Sequence, residues 1–122
     1  IDAAMRSLKS SGWLHPALRS LTAEFLCGIL HQPSEHGIVW FAEQQTDFDP
    51  ALNVGNWQTA ARNACRHSID IIQTARRLDP DGTFVRRHIP ELAHLPVNLV
   101  HTPWLASSEI DAHGYPLPVV AP

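Results

Sequence analysis

Proline constrains this chain more than any other residue. It lacks a backbone N–H and its φ is fixed, so it opens helices well, breaks them from inside and sits in sheets only at edges. His15-Pro16, Gln32-Pro33, Asp49-Pro50 and Asp79-Pro80 cut the chain into stretches. Several of these carry apolar residues at helical spacing. Most of the ten prolines fall from Pro90 onward, where no long regular element can form. The pattern predicts an all-α fold: a helical bundle followed by a Pro-rich irregular segment, 89–122, that wraps over helices.

A first helix is predicted over Asp2–Ser10, with Ala4, Met5 and Leu8 on one stripe, ended by Ser10-Ser11-Gly12. Pro16 opens a second, whose core face is Leu18, Leu21, Phe25 and Ile29, flanked by Leu14, Thr22 and Leu26. Gln32-Pro33-Ser34-Glu35 breaks and recaps the chain, with Ser34 as the expected N-cap, and Ile38 to Ala42 carry a third helix to about Gln45. Over residues 66–78, Ile69, Ile71 and Ile72 fit strand or helix from spacing alone. Asp79-Pro80-Asp81-Gly82 reads as a turn. A last helix over Thr83–Ile89 is expected to point Phe84, Val85 and Ile89 inward and Arg86-Arg87 outward.

The stretch from Thr46 to Gln58 holds the chemistry. Asp49-Pro50 reads as an N-cap and first helical residue, so a short helix should begin there and carry Asn53 one turn on. Gly55 is then expected to supply a left-handed turn within Val54-Gly55-Asn56, with a further helix opening at Trp57 and running through Ala60, Ala61 and Ala64. Asp47, Asp49, Asn53 and Trp57 gathered on two turns could line a flat polar heterocycle. Two capped helices with a buried tryptophan would look the same from spacing alone.

Bulk properties narrow the classes. A chain of 122 residues is of single-domain size. Nine basic against twelve acidic residues give a net charge of −3, which offers little attraction to nucleic-acid phosphates. No apolar run approaches the roughly 18 residues of a membrane span, and no signal peptide is expected from these residues. The chain begins at Ile1, inside what reads as a helix, so the expectation is a portion of a longer protein. Cys27 and Cys65 lack the spacing of a zinc or disulfide framework and read as buried or idle thiols of a reducing, cytoplasmic compartment. The eight histidines lack ligand spacing, and no metal is expected.

Four blocks in order carry a resemblance: Ala4-Met5-Arg6-x-Leu8 with Gly12-Trp13-Leu14-His15; Asp47-x-Asp49-x-x-x-Asn53-x-Gly55-x-Trp57; Asp79-Pro80-x-Gly82-x-Phe84-Val85-Arg86-Arg87-x-Ile89-Pro90-Glu91-Leu92; and His101-x-Pro103-Trp104 with Tyr115-Pro116-x-Pro118-Val119-Val120. They span nearly the whole chain, which resembles the C-terminal portion of the FAD-binding domain of the DNA photolyase/cryptochrome family. The resemblance implies non-covalent FAD, with Asp47 at the pyrimidine edge of the flavin, Asp49 as the second acid, Asn53 facing the flavin N5 and Arg19 paired with Asp47. Trp57 corresponds to the tryptophan nearest the flavin, the first electron donor of the family's relay. The next relay tryptophan falls at Ser34, so the relay is broken unless Trp40 substitutes. Over residues 66–78 the resemblance implies a turn followed by a short helix ending at Arg77.

The resemblance also implies light-driven repair of pyrimidine dimers in damaged DNA, but the lesion-contacting positions depart from the family pattern. Pro16, Ala17 and Ser20 stand where it has an amide, an arginine and a methionine, and Thr59 replaces the tryptophan that stacks on the flipped dimer. Around Arg66-His67-Ser68-Ile69-Asp70 the family's next segment is shortened. Three readings stay open: a blue-light-responsive flavoprotein with weakened or absent repair, a flavin-free helical interaction module, and a plain repair enzyme, since subgroups of the family differ in their lesion contacts. In the first, the diphosphate and adenine contacts come from the missing N-terminal part of the protein. An apolar face exposed without that part would favour self-association. Whether the protein is a deoxyribodipyrimidine photolyase-like lyase is not decided by these residues.

Overall fold

The computed structural model describes residues 1–66, 70–106 and 114–120, and among these it contains helices and turns with no strand. The chain divides into two compact units, Ile1–Ile69 and Asp70–Pro122.

In the first unit, α1 (Asp2–Ser11), α2 (Pro16–Glu24), α3 (Ser34–Gln44) and α4 (Pro50–Arg66) are joined by short turns, and α2 runs directly into a π-helical segment, Phe25–Ile29. Helix α4 packs against α2, the π segment and α3 and is the centre of the unit. Helix α1 buries Ala4 and Leu8 and stops at Gly12, whose φ of 71° is the left-handed conformation that favours glycine. A Cβ at Gly12 would run into the Thr46 methyl. The Thr46 N–H and hydroxyl both donate to the Gly12 carbonyl, at 2.9 and 3.2 Å, so the Thr46–Gln58 stretch starts from a fixed point.

Pro16 opens α2 as expected, with His15 Nδ1 accepting from the Ala17 N–H at 3.2 Å. The core face is narrower than the spacing predicts. Leu21, Thr22 and Ala23 are buried, whereas Leu18, Phe25 and Ile29 are only half-buried. The widened π turn changes the angular step between residues, so strict helical spacing does not carry through it. Gly28 in that turn lets α4 come close: a Cβ there would lie 2.9 Å from the Ala64 Cβ. Pro33, not Ser34, is the N-cap of α3, and Ser34 makes no capping bond. Phe41 is buried while Val39 is 59% exposed. A helix turns about 100° per residue, so five successive apolar side chains cannot share one face.

The main departure from expectation is in α4. Pro50–Arg66 is one unbroken helix, and Gly55 lies inside it with no left-handed turn. Glycine in a helix interior costs about 1 kcal/mol relative to alanine. Burying an indole contributes roughly 4 kcal/mol. Asn53, Trp57 and Ala60, the buried residues of α4, fall on one stripe only if the helix continues through Gly55.

In the second unit, the ambiguous stretch resolves as helix: α5 (Ile71–Leu78) is capped by Asp70, whose Oδ1 accepts from the Gln73 N–H at 2.8 Å. His67, Ser68 and Ile69 lie outside the described residues. The Asp79-to-Gly82 turn forms as expected. The Asp79 carboxylate accepts from the Phe84 and Val85 N–H groups, both at 3.0 Å, at the start of α6 (Thr83–His88). Arg86 was expected outward but folds back, its guanidinium donating to the Asp81 carbonyl and, at 2.8 Å, to the Leu95 carbonyl. Arg87 is exposed. Of the inward set, Ile89 is buried and Phe84 and Val85 half-buried. The Pro-rich segment makes 3₁₀ turns at Pro90–Leu92 and Pro103–Leu105 and buries Leu92, Leu95 and Val100.

Candidate functional site

The first unit contains a cleft of about 330 Å³ lined by α2, the end of α3, the Thr46–Asp49 loop and the first two turns of α4. Arg19, Asp47, Asp49, Asn53 and Trp57, the residues singled out in the sequence, all line it. Local rules place three of them. Asp49 caps α4, its Oδ1 accepting from the Leu52 N–H at 2.9 Å. Asn53 and Trp57 follow at one-turn spacing on the inward stripe of that helix.

The long-range contacts do the rest. Arg19 on α2 donates from Nε to the Leu14 carbonyl at 2.6 Å and from Nη2 to Asp47 Oδ2 at 2.8 Å. With side chains 19% and 46% exposed, the pair contributes at most about 1 kcal/mol to stability. Its effect is geometric: two bonds fix the guanidinium, which in turn fixes the carboxylate. Asn53, 7% exposed, donates from Nδ2 to the Ile38 carbonyl of α3 at 3.0 Å. A carbonyl can only accept, so this bond decides which end of the amide is which and leaves the amide oxygen outside it. Trp57 is 3% exposed and meets Phe41 edge to face, with ring centroids 4.9 Å apart at 85°.

Sequence reasoning missed Ala23, Phe41, Gln45, Leu52 and Asn56 as lining residues, and it assigned Pro16 and Ser20, which also line the cleft, to the lesion side. Ser20 and Ala23 lie one and four residues beyond Arg19 on the same helix. Asn56 lies three beyond Asn53, a neighbour only in an unbroken helix, and the expected turn at Gly55 hid it. Phe41 reads as core and serves as both core and wall.

The lining suits a planar heterocycle. Ala23, Phe41, Leu52 and Trp57 offer apolar surface, while Arg19, Asp47 and Asn53 offer a cation, a carboxylate and an amide for ring N–H and C=O edges. The volume is at the small end for ligand sites, roughly 300–1,000 Å³, and fits a ring system rather than a whole dinucleotide. Trp40 meets Phe41 with centroids 6.0 Å apart, so Phe41 is in ring contact with both Trp40 and Trp57. Ser34 stands half-buried at the start of α3, and Thr59 is exposed on α4. Among the described residues no three His, Cys, Asp or Glu side chains could hold a metal ion, and no helix is long and apolar enough to cross a membrane. Cys27 is half-buried and Cys65 exposed, so neither is a fully buried thiol.

The described residues of this unit form a strand-free helical bundle whose aromatic-walled cleft is edged by an ion pair and an amide. The model of the FAD binding domain of DNA photolyase matches residues 1–122, and the chain belongs to that family. It is 41% identical to Cryptochrome-1 of Anopheles gambiae over 134 aligned positions, covering 98% of this chain and 25% of that one. It is 36% identical to the deoxyribodipyrimidine photo-lyase of Alkalihalophilus pseudofirmus, covering 98% of this chain and 28% of the relative. Among solved structures, the archaeal photolyase of Sulfolobus tokodaii with two FAD molecules superposes with a TM-score of 0.85 at 30% identity, over 98% of this chain and 28% of that one. The chain spans about a quarter of the length of the curated relatives it matches.

Proposed function

We propose that the cleft receives the ring system of FAD and that this chain forms that wall of the flavin site in a blue-light-responsive photolyase/cryptochrome-type protein. The observation that carries the reading is the convergence of Arg19, Asp47, Asp49, Asn53 and Trp57 on one aromatic-walled cleft. FAD, when bound, supplies blue-light absorption and one-electron redox chemistry. Asp47, held by Arg19, is the acceptor for a ring N–H. Asp49 holds the start of α4 in place beside the ring. Asn53, oriented by the Ile38 carbonyl, offers an amide to a ring nitrogen. Trp57, an oxidisable indole buried against Phe41, is the electron donor of the site, and the Phe41 ring contact makes Trp40 the next aromatic outward.

Damaged DNA is the proposed partner of the whole protein, with repair weakened. Pro16 at the cleft and the exposed Thr59 offer neither the amide nor the stacking surface that would hold a flipped base. The diphosphate and adenine of FAD are assigned to parts of a longer protein beyond this chain. Two thiols free of any disulfide favour the cytoplasm.

The test is an absorption titration of the purified protein with FAD, repeated for Asp47→Ala. Saturable displacement of the flavin bands from those of free FAD is expected in the wild type. Loss of a charge-assisted hydrogen bond is expected to weaken binding about tenfold or more. Absence of flavin binding would overturn the reading and leave a helical interaction module.

A further inference from the structure

Behind the Trp57 indole, on α3, is Gly37. It is buried, and it is not among the residues that line the cleft. A Cβ built there would fall onto Cη2, Cζ2 and Cζ3 of Trp57, the far edge of the six-membered ring. The next residue, Ile38, presents the carbonyl that receives the Asn53 amide at 3.0 Å. Two adjacent positions of α3 thus set two side chains of α4, one by leaving room and one by accepting a hydrogen bond. Phe41 packs against the same indole in a T-shaped arrangement, with ring centroids 4.9 Å apart.

We propose that Gly37 is a positioning residue for the cleft: its bare α carbon sets how deep the Trp57 ring sits, and any side chain there drives the ring into the space proposed for the flavin. The proposal rests on the flavin reading for its functional consequence, but not for its structural one. Its position inside α3 does not otherwise call for glycine, since Gly37 has no positive φ. The side chain it lacks is the one Trp57 displaces.

The test is fluorine NMR on protein labelled with fluorotryptophan, together with FAD titration. Trp57→Phe assigns the Trp57 resonance among the four tryptophans. Gly37→Ala is expected to move that resonance while those of Trp13, Trp40 and Trp104 hold, and to weaken FAD binding about tenfold or more. Phenylalanine lacks the clashing atoms, so the double variant Gly37→Ala/Trp57→Phe is expected to fold and to bind FAD within about threefold of Trp57→Phe alone, the coupling a double-mutant cycle reveals. A folded Gly37→Ala protein with an unmoved Trp57 resonance overturns the proposal. So does a double variant that fails to fold or to regain binding. If the wild type binds no FAD, the flavin reading fails, and the resonance shift and the rescue of folding still decide the structural claim.

Discussion

At the scale of single residues, the site depends on how few degrees of freedom its polar groups keep. Arg19 is tied at two atoms and Asn53 at one, so each offers a defined face without a large contribution to stability. Asn53→Asp tests this. A carboxylate facing the Ile38 carbonyl is repelled when ionised, so its folded-state pKa is raised. Relative to wild type at the same pH, the variant should approach wild-type stability at acid pH, below the unfolded pKa of about 3.9, and lose roughly 1–3 kcal/mol as pH rises through the folded one, read from urea melts of both proteins at about pH 3 and pH 7.5. A flat pH response would show that the bond does not orient the side chain. Thiol chemistry gives a second check. Burial pushes the Cys27 thiol above its ordinary range, with Cys65 and Glu35 adding to the effect, while Cys65 is exposed. Iodoacetamide should therefore label Cys65 well before Cys27, as mass spectrometry of early time points would show. Some of this was legible. Asp49 as a cap needs only its neighbours in sequence. The pairing of Arg19 with Asp47 spans 28 residues, no local rule reaches it, and only family resemblance suggested it.

At the scale of elements, α4 decides the account. Asn53, Asn56 and Trp57 share the cleft because the helix runs straight through Gly55. Nothing lies within 4 Å of a Cβ built at Gly55. Gly55→Ala should therefore stabilise the protein by about 0.5–1 kcal/mol, measured by thermal or urea unfolding. A left-handed turn at that position would make the same change destabilising. The helices themselves were readable because Pro16, Pro50 and the Asp79 turn carry their start signals locally. Gly55 misled because a glycine among Val54 and Asn56 looks like a turn until the packing of Trp57 is weighed against it. The π turn at Phe25–Ile29 had no sequence signal beyond Gly28, whose role becomes visible only with Ala64 opposite.

At the scale of the whole molecule, a chain that spans about a quarter of the length of its curated relatives gathers Arg19, Asp47, Asp49, Asn53 and Trp57 on one cleft, the ring-facing wall of the proposed site. Thr59→Trp places an aromatic on the exposed face of α4 at the position proposed to meet the lesion. In the protein with FAD bound, it is expected to raise affinity for dimer-containing over undamaged oligonucleotide by roughly fivefold or more, in a competition assay at fixed salt. The most direct test of the central claim, that this cleft takes a flavin ring, is chemical-shift mapping of the isotope-labelled protein with riboflavin, which lacks the diphosphate and adenine. The largest perturbations are expected at Arg19, Asp47, Asn53 and Trp57, and Asp47→Ala is expected to diminish them. Perturbations centred elsewhere, or none at saturating riboflavin, would contradict it.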